Sequence, residues 1–141
     1  MQSTSQAAPV SKGKLWTGRI LSGIAILFLL FDSVIHLMVI APVVDSFSQL
    51  GVPISLSITI GIIELICLTT HVIPRSSVLG AILQTGYLGG AVAIQLRIGA
   101  PLFSTALFPI YIGILVWGGL YLRDERLRVL LAARKNEMDR N

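Results

Sequence analysis

Charge is what this chain has least of. Only 13% of its 141 residues are Asp, Glu, Lys or Arg, against 54% hydrophobic, and the mean hydropathy is +0.81. A soluble domain of this size needs a far more charged surface. Cysteine is nearly absent too: Cys67 stands alone, so there is no disulfide framework and no dithiol pair for redox chemistry through sulfur. It lies in an apolar run and reads as a small apolar residue. No Walker loop, no GxGxxG opening a helix after a strand, no GxSxG and no CxxC occurs. A nucleotide or flavin site would have to come from a partner, and no intrinsic cofactor or catalytic motif is expected.

What the chain has instead is four long apolar runs, over residues 17–40, 57–73, 77–96 and 102–122. Crossing a bilayer takes about 20 residues of helix. Pro42, Gly51, Pro53, Pro74, Gly99 and Pro101 punctuate the gaps. The first run follows Lys12, Lys14 and Arg19. It is too long for a signal-peptide core, begins late and lacks a clear cleavage site, so it reads as retained. The tails and short loops are too few for a separate soluble core. The expected fold is all-α: an integral membrane four-helix bundle over 15–122, preceded by a disordered cytoplasmic tail (1–14) and followed by a basic cytoplasmic tail (123–141).

With four spans both termini share a side, and that side holds ten of the eleven Lys and Arg residues; only Arg97 falls opposite. By the positive-inside rule the termini and the turn at Pro74 are cytoplasmic, and the loops around Asp45 and Gly99 face outward. The net charge of +4 is thus a topology signal, not a nucleic-acid footprint. In the last segment Leu127, Leu130 and Leu131 share a helical face among Arg126, Arg128 and Arg134. That pattern suits a short amphipathic helix along the inner lipid surface; docking to a partner is the second reading.

Ionisable groups inside the spans are few and costly to insert. Asp32 and Glu64 both fall roughly 10–12 Å below the outer surface, at about 1.5 Å per residue. His36 follows Asp32 by four, on the same face. Ser57, Glu64 and His71 repeat every seven residues, while Gln84, Tyr87, Ala91 and Gln95 lie near one face of the third span, whose outer end Arg97 caps. Pro109 should free or bend the Thr105 carbonyl at similar depth. These groups outline a small polar cavity, and Asp32, His36, Glu64, Tyr87, Gln84, Gln95 and Arg97 are its ligand-binding or proton-handling candidates. Two carboxyls brought close cannot both ionise cheaply, so one takes up a proton unless Arg97 or His36 supplies positive charge. The alternative is structural: these groups satisfy one another and hold the helices in register.

Gly86 and Gly90 have GxxxG spacing in a third span also thinned by Gly80, Gly89 and Ala93. Internal helix packing is the first reading and a homodimer the second. Trp16, Trp117 and Tyr121 suit the inner interfacial belt. His36 and His71 lie roughly 20 Å apart along the helices, so they cannot share one haem, and no metal site is expected. His71 reads as an interfacial residue.

The stretch 73–99, IPRSSVLGAILQTGYLGGAVAIQLRIG, with FLLFDSVIHL (28–37), GIIELICL (61–68) and LFPIYIGILVWGGLYLRD (107–124), resembles the DoxX-like family of small four-span membrane proteins. The resemblance covers nearly the whole chain after Lys14. Asp32, Glu64, Tyr87 and Arg97 fall where such proteins keep polar groups, whereas His36, Gln95 and Ala100 stand where many relatives have Lys, His and Asp. The resemblance implies a multi-pass protein of the cell membrane, a bacterial inner membrane, acting as a subunit or accessory protein of a quinone-linked redox system with redox partner proteins. A non-enzymatic protein that binds or moves a small hydrophobic molecule, or scaffolds a complex, is the alternative. The topology is directly testable: a fluorescent protein fused after Asn141 should fluoresce, and alkaline phosphatase fused after Gly99 should be active. The reverse pattern would show the opposite orientation.

Overall fold

The computed structural model describes residues 11–138, and all its regular elements there are helical. They are α1 (Lys12–Met38), α2 (Ala41–Leu50), α3 (Leu56–Val72), α4 (Ser77–Arg97), a π-helical turn (Leu102–Ala106), α5 (Phe108–Arg123) and α6 (Glu125–Met138). Three helical stretches are long and apolar enough to cross a membrane: α1, α4 and the π turn together with α5. α3 is equally apolar but only 17 residues long, the lower edge of the spanning range. Most of the expected tail (1–10), and Arg140, lie outside the described residues, while Lys12 to Lys14 form the first turn of α1 behind a Ser11 cap.

The chemistry at the helix ends is local. α1 stops at Val39, whose φ of 49° is left-handed, an uncommon state for a β-branched residue. The chain turns through extended Ile40 and starts a helix where a loop around Asp45 was expected. α2 carries a proline in its first turn and ends on Gly51, left-handed at φ 62°, which donates to the carbonyls of Phe47 and Ser48. Proline inside the start and glycine past the end are ordinary helix punctuation, and Val43 and Phe47, four apart, are its buried face. Arg97 at the end of α4 donates to the Leu50 carbonyl, latching the far end of α2. Pro109 sits in the first turn of α5, where its missing N–H costs nothing. The distortion expected from it precedes it, as a π turn in which Ala106 and Leu107 donate to the carbonyls of Pro101 and Leu102.

α1 packs against α3 and α5, and α4 packs against the same two. Their interior holds Ala25, Leu29, Leu68, Ala81, Val116 and Leu120. Outward, large apolar side chains such as Leu27, Phe31, Ile66 and Ile114 are exposed, the reverse of a soluble surface and what lipid requires. Glycine makes the closest approaches. A Cβ on Gly119 would strike Ser22, one on Gly18 would lie 2.8 Å from the Leu122 Cβ, and one on Gly80 would overlap the His71 backbone. Gly86, Gly89 and Gly90 are different, because nothing lies within 4 Å of a Cβ placed there. The GxxxG pair therefore does not pack helix on helix within this chain.

In α6, Leu127 is buried whereas Leu130 and Leu131 are exposed. At i, i+3 and i+4 of one helix the three leucines share a face, of which only the Leu127 end is covered by the helices it follows. Asp124 caps α6 by accepting from the Arg126 N–H at 2.9 Å.

The two kinds of glycine predict opposite responses. Gly80→Ala must displace His71 backbone and should cost about 1–3 kcal/mol, whereas Gly86→Ala should be tolerated. Thermal unfolding of the two variants in one detergent compares them directly; equal stability would contradict the packing described.

Candidate functional site

The polar groups of the long helices converge at the level of α2. Asp32 and His36 stand one turn apart on α1, with His36 Nδ1 3.6 Å from Asp32 Oδ2 and 3.0 Å from the Asp32 carbonyl oxygen. Glu64 of α3 is fully buried. Tyr87 of α4 donates its hydroxyl to Glu64 Oε2 at 3.1 Å. One donor atom from each of Asp32, His36 and Glu64 lies within 4.8 Å of the others. Ser57 donates to the His36 carbonyl at 2.8 Å and so ties α3 to the last turn of α1. The small residues Ser33 and Gly61 let these two helices approach at this level: a Cβ on Gly61 would lie 3.0 Å from the Ser33 carbonyl oxygen.

Two cavities adjoin the cluster. The larger, about 560 Å3, is bounded by Val43, Phe47 and Leu50 of α2, by Ile60, and by the Gly86 and Gly90 face of α4. Asp32, His36, Tyr87 and Gln95, with Ser46 of α2, supply its polar groups. The open space at the two glycines is therefore cavity volume. Phe47 of α2 meets the His36 ring edge-on, with centroids 5.6 Å apart. The smaller, about 330 Å3, lies between α1, α4 and the π turn, lined by Asp32, Glu64, Gln95, Ser104, Thr105 and Pro109. Asp32 and Gln95 face both spaces. π-helical turns recur at functional sites, and this one sets Ser104 and Thr105 opposite the carboxyls.

Of the seven residues singled out from sequence, five meet here: Asp32, His36, Glu64, Tyr87 and Gln95. Arg97 does not join them. Its guanidinium is spent on the Leu50 carbonyl, because it sits at the very end of α4, half a turn beyond Gln95. No Lys or Arg lines either cavity. Gln84 is fully buried yet lines neither space, and both of its amide atoms lack a partner. Register explains its position: Gly80 opposes His71 and Tyr87 opposes Glu64, so Gln84 lies between those two levels. His71 lies in the last turn of α3, the end expected to be interfacial, and is fully buried within the protein, donating from Nδ1 to the Ser77 carbonyl at 3.1 Å, with Nε2 unpartnered. Glycine at position 80 makes that burial feasible.

What sequence reasoning missed is the cover. Val43, Phe47 and Leu50 belong to a segment read as loop, although Pro42 and Gly51 bracket an apolar pair at helical spacing. Thr105 lines the smaller cavity as its expected depth implies, whereas Ser104 has no sequence signal because its aim depends on the π turn.

A family model described as the DoxX-like family matches residues 20–119. No curated protein and no solved structure matches the chain. The matched stretch contains Asp32, His36, Glu64, Tyr87 and Gln95, both cavities, α2 and all but the ends of the outermost long helices. Its length and its apolar helices agree with the resemblance read from the sequence segments, and the chain belongs to the DoxX-like family of membrane proteins.

Proposed function

We propose that this chain is a four-span membrane subunit or accessory protein of a quinone-linked redox system, and that the cavity under α2 receives the quinone head group. In this reading α1, α3, α4 and α5 form a four-helix bundle in the cell membrane, with both termini cytoplasmic and α2 on the outer side. One observation carries the proposal: a mainly apolar space of about 560 Å3 ends on Asp32, His36, Tyr87 and Gln95. That volume is in the range of small-molecule sites, which are apolar with a few placed polar groups.

Quinone chemistry uses both parts. The ring carbonyl oxygens accept hydrogen bonds, which the Gln95 amide and the His36 ring can donate. Reduction to the quinol adds two electrons and two protons, one to each oxygen. Asp32 and His36, the partly exposed members of the cluster, are positioned to exchange those protons, while Glu64 is held by Tyr87. The isoprenoid tail follows the apolar wall of Val43, Phe47 and Ile94. Electrons come from a partner protein, consistent with a chain that has neither CxxC nor a flavin fingerprint.

A second reading rests on the same apolar wall: the cavity binds or passes a small hydrophobic molecule without chemistry. Native mass spectrometry of the protein, extracted in mild detergent from its host membrane, separates the two. A stoichiometric quinone, with or without a redox protein, supports the first reading, and a bare chain carrying bulk lipid sinks it. Gly90→Leu fills open space at the cavity wall. It should weaken binding of a short-tailed quinone by at least about 10-fold, or 1.4 kcal/mol, at unchanged thermal stability. Asp32→Asn should keep binding and slow quinol formation by the assembled complex; unchanged turnover removes Asp32 from proton transfer.

A further inference from the structure

Asp32 and His36 come from successive turns of one helix, and Glu64 is brought beside them by another, so that three donor atoms of two chemical kinds share one small volume. From this grouping we propose that Asp32, His36 and Glu64 form a binding site for a first-row divalent cation of the Zn2+, Mn2+ or Fe2+ type. The site shares Asp32 and His36 with the cavity under α2, and the observations behind it do not depend on what occupies that cavity.

Three observations beyond the grouping support it. Glu64 is fully buried, and its Oε1 has no hydrogen-bond partner while Oε2 is held by Tyr87. A buried carboxylate oxygen left free is costly and rare. Next comes charge. The groups facing the pair are Ser33 and His36 from α1, Tyr87 and Gln95 from α4, Phe47 from α2, and Ser104 and Thr105 from the π turn. No Lys or Arg is among them, because Arg97 is engaged at Leu50. A divalent cation balances two carboxylates in surroundings where unpaired charge is expensive. Lastly, support is already in place: the Tyr87 hydroxyl fixes one oxygen of the fully buried ligand, as outer-shell donors do at metal centres.

The donor set narrows the ion. One imidazole and two carboxylates suit Zn2+, Mn2+ and Fe2+; Ca2+ takes six to eight oxygens, Mg2+ keeps most of its waters, and Cu(I) selects sulfur. Bonds of about 2.0–2.2 Å place neighbouring ligand atoms roughly 3–4 Å apart. Side-chain rotations therefore suffice to close a grouping that spans 4.8 Å. Three protein ligands leave coordination positions open toward the two cavities, as at catalytic rather than structural zinc sites. No sequence spacing reveals this site, since only Asp32 and His36 are neighbours along the chain.

The test uses the untagged full-length protein in detergent, stripped with a chelator and titrated calorimetrically with Zn2+, Mn2+ and Mg2+. The expected result is one saturable site per chain for Zn2+ or Mn2+, with Mg2+ much weaker. Glu64→Gln and Asp32→Asn should each weaken it by at least about 10-fold, and Tyr87→Phe by about 10-fold. Asp45→Asn, on the exposed side of α2, should leave it unchanged. Co2+ added to the stripped native protein should give visible d–d bands that change in His36→Gln, a signature that survives even where Glu64→Gln fails to fold. Absence of saturable binding for every ion overturns the proposal, and so does binding that persists in folded Asp32→Asn. Quinone content measured in the same preparations is a separate readout, so loss of one ligand with retention of the other shows which assignment has failed.

Discussion

A carboxyl group with no exposure to solvent, set among apolar helices, has to be matched by its neighbours, and Glu64 is that group. Its presence on α3 obliges α4 to bring Tyr87 to it and α1 to bring Asp32 and His36 beside it. Lipid offers no hydrogen bonds, so these contacts have no competing solvent and fix the relative height of three helices. The spacing of α3 repeats the device. Ser57 and His71, one heptad to either side of Glu64, are also fully buried and each is hydrogen-bonded, Ser57 to the end of α1 and His71 to the start of α4.

Small residues divide the remaining work. Gly18, Gly61, Gly80 and Gly119 sit where backbones touch, and a methyl group on any of them would meet a neighbouring helix. Gly86 and Gly90 sit where nothing touches. Identical residues on one helix thus bring α3 close at one level and hold space open at the next. α2 roofs that space, entered through left-handed Val39, packed inward by Val43 and Phe47 and bonded at its other end by Arg97.

Asp32 stands between the two cavities and within the carboxylate–histidine group. Under the proposed assignments it joins two chemistries, proton exchange at the larger cavity and cation binding on its inner side. An ion at that point would also govern whether Asp32 is free to take a proton, since a coordinated carboxylate is held ionised. Arg97, spent on α2, leaves this balance to protons and ions, whereas an arginine inside the group would have settled it permanently.

The membrane class, the long apolar helices, the glycine thinning of α4 and the common level of Asp32 and Glu64 can all be read from the chain alone. Each depends on local composition or on the fixed rise of a helix, neither of which needs a partner element. Five of the seven candidate residues follow from the same arithmetic. Which faces meet is another matter, because rotation of a helix about its axis is set by the neighbours it packs against. That is why Arg97 binds Leu50 and not the carboxyls, why His71 at the end of α3 is turned inward and fully buried, and why Gln84 faces neither cavity. The short helix over the site and the π turn opposite it belong to tertiary structure for the same reason. Val43 and Phe47 gain a buried face only when α1 and α4 are already in place to provide one.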